Sequence, residues 1–257
     1  MTALVRPYTR VAPLQENCEV CCTLIAAIKR ELESLGDASR AETLQRFFKT
    51  GPGEYAAGDR FRGIRVPVLR GLARKYQDLP LAEAGRLLKS PCHEDRLLAL
   101  LILIRRYYGS GQAVRDKIHR LYLKNTKFVN NWDLVDASAP HLLGHYLADH
   151  PADTLTRLAA SRDLWERRLA IIATLYFIKQ QDFDETLRIA RVLLGDPEDL
   201  IHKAVGWMLR EVQKRETRVA EAFLQTHYRQ MPRTMLRYAI ERLPEARRQA
   251  YLKGTVA

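Results

Sequence analysis

Apolar residues recur at helical spacing along almost the whole chain, and no useful length alternates with period two, so the sequence predicts an all-α protein. From 16 to 35, Val20, Leu24, Ile28, Leu32 and Leu35 form one stripe, and Gly36 ends it. Asp37 or Ser39 can cap a second helix that runs through Leu44, Phe47 and Phe48 to Lys49. Beyond Pro67 the pattern predicts helices over 68–76, 81–88, 94–108, 112–123, 131–147, 151–159, 165–180, 184–194, 200–214, 217–227 and 233–241. Pro80, Ser90-Pro91, Gly109-Ser110-Gly111, His150-Pro151, Gly195-Asp196-Pro197 and Met231-Pro232 stand at the breaks, where residues poor at continuing a helix belong. Residues 50–67 carry no such period, and Gly51, Gly53, Gly58 and Gly63 mark them as a connecting loop. Its amides, or Arg60, Arg62 and Arg65, are candidate phosphate contacts, although the Gly-Lys-Ser/Thr of a Walker loop is missing and no strand precedes it.

Each of the three tryptophans sits one helical turn from a charge: Trp132 from Asp136, Trp165 from Arg168, Trp207 from Arg210. Side chains three or four positions apart share a helix face. Trp132 and Trp165 are 33 residues apart, and Trp165 and Trp207 are 42 apart. These spacings bracket the period of about 40 residues seen in two-helix solenoid repeats. Stacked hairpins set equivalent helices side by side, so the three tryptophan turns are expected along one face of a superhelix formed by the whole chain, with 1–15 as a flexible tail. The competing reading for each tryptophan is a core position, and it is the favoured one for Trp165.

Charge sharpens this picture. Lys+Arg 42 against Asp+Glu 30 leaves a net +12 and a pI near 9.7, which points to a polyanionic partner. The longest apolar runs, 97–104 and 169–178, fall short of the roughly 20 residues of a membrane span, and the first 15 residues lack a secretory apolar segment. A cytoplasmic protein off the membrane is expected. Cys18-x-x-Cys21 has the spacing of half a zinc site, but no second half follows, so Cys18, Cys21, Cys22 and Cys92 read as reduced thiols and no metal or other cofactor is expected. His141 and His145 lack the intervening glutamate of a zinc helix, and no Gly-x-Ser-x-Gly elbow occurs. Chemistry, if present, must rest on carboxylates, aromatic rings and arginines.

Three segments carry a resemblance: Asn131-Trp132-Asp133-Leu134-Val135-Asp136, Leu164-Trp165-Glu166-Arg167-Arg168-Leu169-Ala170-Ile171 and His202-Lys203-Ala204-Val205-Gly206-Trp207-Met208-Leu209-Arg210-Glu211. Together, in order and spacing, they resemble the AlkD-like DNA alkylation repair proteins over about 47–241. The resemblance implies a superhelix of HEAT-like repeats and a monomeric DNA glycosylase acting on double-stranded DNA that carries alkylated purines such as N3-methyladenine and N7-methylguanine. It also implies that Asp136 is the catalytic carboxylate, that Trp132 and Trp207 are aromatic site walls, and that Arg168 contacts DNA. The best-known members have a tryptophan where this chain has Asn131, so one aromatic surface is expected to be absent.

The residues suit such chemistry on their own terms. A purine alkylated at N3 or N7 is positively charged and leaves readily, so the demand falls on the cation left behind on the sugar. A carboxylate at Asp136 would stabilise it and could orient water. Indole faces at Trp132 and Trp207 would attract a cationic base by roughly 0.5–2 kcal/mol each. Arg168, Lys203 and Arg210 are the candidate phosphate contacts. The rival expectation is a non-catalytic helical module that binds unusual DNA structures or a protein partner. On that view Asp136 caps a helix or pairs with a cation, and Arg210 and Glu211 pair with neighbours.

Overall fold

The computed structural model describes residues 18–256 other than 152, with side-chain surroundings given from residue 24 onward. The expected tail at 1–15 and the side chains of Cys18, Cys21 and Cys22 lie outside what is described. Helices succeed one another from Cys18–Ser34 to Glu245–Lys253, and the described residues contain no strand, only an isolated bridge between Arg60 and Cys92. The all-helical architecture is therefore as the periodicity implies, and no described helix is long and apolar enough to cross a membrane.

A row of helices gives the array its axis. His93–Tyr108 packs on Trp132–Ala139, which packs on Leu164–Ala173, then Asp199–Gln213, then Arg233–Ala239. Other helices, among them Asp153–Ala159, Asp184–Val192 and Thr217–His227, lie between them in sequence and pack against the row. Buried Leu, Ile, Val and Ala from both sets join in one connected core that extends from Ile28 to Tyr251. Each helix thus buries its stripe mainly against sequence neighbours, as in helical-repeat proteins.

Two glycines let the row close up. At Gly144 a Cβ would lie 2.2 Å from the Ala173 carbonyl oxygen, and at Gly206 it would lie 2.5 Å from both the Met235 carbonyl oxygen and the Tyr238 Cβ. No side chain fits at either point. Gly144 also ends a wide π turn, Pro140–Gly144, that continues the Trp132–Ala139 helix. Pro140 has no N–H to donate to Asp136, so the ladder shifts by one residue there, as prolines often cause.

Most predicted helices appear within a residue or two. The 165–180 stretch is divided at Thr174 into Leu164–Ala173 and Leu175–Lys179. Glu245–Lys253 has no counterpart in the expectations: among its residues only Tyr251 is buried, so it carries no apolar stripe to read. The 50–67 loop is a connector, and three of its amides are already taken within the fold. Those of Arg62, Gly63 and Ile64 donate to the Glu94 carboxylate at 2.9, 2.7 and 3.1 Å, and the Arg62 guanidinium binds Asp95 at 2.7 Å. The loop's own acceptor is a buried side chain at the start of His93–Tyr108, which welds it to the row.

Candidate functional site

An open groove of about 630 Å³ runs along the helix row. Trp132 comes from Trp132–Ala139, Arg168 from Leu164–Ala173, Lys203, Trp207 and Arg210 from Asp199–Gln213, and Tyr238 from Arg233–Ala239. Phe47, Lys49 and Tyr55 reach it from the end of the Ala38–Phe47 helix and the loop that follows. The structure therefore brings five of the six candidate site residues to one groove, and the sixth, Asp136, is not among its lining residues but pairs with Arg168.

The first wall is built from Asn131 inward. Asn131 is fully buried, and its side-chain oxygen accepts from the Trp132 amide at 2.8 Å, capping the helix in the way short polar side chains do. The residue that removes an expected aromatic surface is thus a helix cap. The Trp132 ring stacks on Phe48 with centroids 5.1 Å apart; Phe48 stacks on Phe61 at 4.9 Å, and Phe61 on His93 at 4.4 Å. Phe47, 62% exposed, stands edge-on to Trp132 at 6.0 Å and puts an aromatic ring in the groove beside it.

His93 closes this ladder. Its Nδ1 lies 3.0 Å from Asp59 and its Nε2 lies 2.8 Å from Asp133. Burial works against the charged ring, but hydrogen bonds to Asp133 and Asp59 outweigh it and hold the His93 pKa up to about 9, so the ring is an imidazolium at neutral pH. Arg96 binds Asp59 at 2.8 Å, and against the pull of burial His93 and Arg96 together keep the Asp59 carboxyl below its ordinary range. Asp133, next to Trp132, is therefore anchored to a buried charge network.

Asp136 lies one turn beyond Trp132, inside the helix and not at its start, so it does not cap. Its two oxygens accept from Arg168 Nε at 3.0 Å and Nη2 at 2.9 Å, in a fork-to-fork pair. The carboxylate side chain remains 18% exposed. Burial pushes the Asp136 carboxyl up, and the Arg168 charge opposes that shift. The remaining Arg168 nitrogen, Nη1, donates to the Leu200 carbonyl at 2.6 Å. Three of the five N–H donors of this guanidinium are engaged, one on each nitrogen, so in this arrangement Arg168 holds Asp136 while it lines the groove.

The opposite wall is Trp207, whose Nε1 donates to Glu211 at 3.2 Å. Lys203 pairs with Asp199 at 2.8 Å, and Arg210 pairs with Glu241. The candidate phosphate contacts on this helix therefore already have acid partners. Trp165 does not join the surface: it is 7% exposed, with Tyr55 packed edge-on at 6.0 Å. The expectation of three tryptophans on one face is corrected to two, with Trp165 in the core, because the loop after Phe47 folds over it.

His93, Phe47, Tyr55 and Tyr238 are site residues that sequence reasoning missed. Phe47 could have been suspected, since two adjacent phenylalanines cannot both face the core of one helix. His93 gave no such signal, since its partners Asp59 and Asp133 come from distant segments. Among the described residues no group of His, Cys, Asp or Glu is arranged to hold a metal ion.

These features define a helical-repeat protein with an aromatic, charge-lined groove and a carboxylate braced by one of its arginines. The DNA alkylation repair enzyme family matches residues 28–243, and the chain belongs to that family. Its fold is similar to a solved structure described as a predicted DNA alkylation repair enzyme from Enterococcus faecalis. That likeness has a TM-score of 0.63 at 17% identity and covers 82% of this chain and 97% of that one. Comparison with curated proteins finds no significant match in sequence.

Proposed function

We propose that the protein is a DNA glycosylase that releases cationic alkylated purines. The observation that carries this reading is that Trp132, Trp207 and Arg168 line one groove and that Arg168 holds the Asp136 carboxylate. A base alkylated at N3 or N7 would lie against the indole faces, which favour a cation and gain little from a neutral purine. The C1′–N bond then breaks with its electron pair leaving on the purine, which becomes neutral. The sugar is left with oxocarbenium character, which the Asp136 carboxylate stabilises before water adds at C1′.

Arg168 fits this scheme as a positioning residue. Its fork fixes the carboxylate plane, and its charge helps to keep a buried carboxyl ionised that would otherwise tend to hold a proton. The groove is open on one side, in contrast to the closed pockets of base-flipping enzymes, so bulky adducts should be tolerated. Incubation with methylated duplex DNA should release free N3-methyladenine or N7-methylguanine faster than the spontaneous rate. Release no faster than from DNA alone would leave the non-catalytic DNA-binding module as the better reading.

A further inference from the structure

We infer that Lys49 is the residue of the groove that takes a backbone phosphate, a proposal that rests on the DNA-binding reading above. Four cations line the groove: Lys49, Arg168, Lys203 and Arg210. Three form ion pairs, with Asp136, Asp199 and Glu241 respectively. Among the described residues no carboxylate forms an ion pair with Lys49, which is exposed. Glu198, exposed in the same groove, has no ion-pair partner among the described residues either, so a phosphate would be drawn toward Lys49 and repelled by Glu198.

The backbone of Lys49 adds a further observation. It follows the C-cap Phe48, and the Lys49 amide donates to Arg46 O at 3.3 Å while the Thr50 amide donates to Gln45 O at 3.2 Å. This is a Schellman ending, whose left-handed residue is usually glycine. Lys49 occupies it with φ 53°, where a side chain carries strain that glycine would avoid. Gln181 holds a similar place after Leu175–Lys179 with φ 64°, so the turn alone marks no contact. What sets Lys49 apart is an unpaired ammonium at the groove, between Phe47 and Tyr55, on a turn pinned by the Ala56 amide to its own carbonyl at 3.2 Å.

The test measures affinity of the full chain for a short duplex across a salt series. Each phosphate contact contributes about 0.9 to the slope of log affinity against log salt. Lys49→Ala and Lys49→Gly should each lower the slope by about that amount, and Lys49→Arg should retain it. Lys49→Gly should melt no lower than wild type, so its loss of binding cannot be assigned to misfolding. A wild-type slope in both the Ala and Gly variants, with wild-type binding intact, overturns the role of Lys49 alone. No salt-dependent binding by the wild type removes the DNA reading and this inference with it.

Discussion

His93 is the residue on which the Trp132 wall rests. Its ring stacks into the Phe61–Phe48–Trp132 ladder, and its nitrogens tie Asp59 to Asp133, so one buried imidazolium fixes both the position of the indole and the first turn that carries it. The folded-state pKa is raised. Its stabilisation is therefore complete below the unfolded imidazole value of about 6.5 and is lost as pH rises through about 9. The loss should amount to about 3 kcal/mol. An NMR titration of the His93 ring should show a midpoint near 9, with thermal stability falling over the same interval. A midpoint near that of a free imidazole would show that the two aspartates do not hold the charge. Residue type alone hides two further roles: Asn131, where an aromatic surface was expected to be absent, caps a helix, and Arg168, which lines the groove, also braces the Asp136 carboxylate.

At the scale of elements, the groove depends on how closely the helices of the row approach. Gly206 sits where Asp199–Gln213 meets Arg233–Ala239, and its missing Cβ leaves room for the Met235 carbonyl and the Tyr238 side chain. Gly206→Ala should cost about 1–3 kcal/mol in chemical denaturation and push the Tyr238 helix outward, weakening DNA binding as well. An unchanged denaturation midpoint would mean that the two helices are free to separate. Helix identity was legible because apolar stripes such as those of Leu97, Leu98, Ile102 and Trp165, Leu169, Ile172 follow the helical period over many turns. The 245–253 helix was not, since only Tyr251 of that segment is buried and one residue makes no stripe. The destination of the loop amides was equally hidden: nothing local in 50–67 announces that Glu94, some thirty residues on, accepts three of them.

Across the whole molecule, repeat spacing led to the expectation that Trp132, Arg168 and Trp207 lie in successive repeats and face one surface, since such spacing converts sequence distance into proximity. The sequence could not show which charges are already spent within the fold. A net +12 suggests a basic surface, yet three of the four cations along the groove are paired. Nor could it show that the 47–55 segment folds over Trp165 and supplies Phe47 and Tyr55 to the groove. The most direct test of the account compares wild type with Asp136→Asn on methylated duplex DNA, measuring free methylated purine released and affinity for the same duplex. The account predicts that base release falls by at least about a hundredfold, roughly the effect of removing one preorganised electrostatic group, while binding is retained. Base release at the wild-type rate from the Asn variant would contradict it.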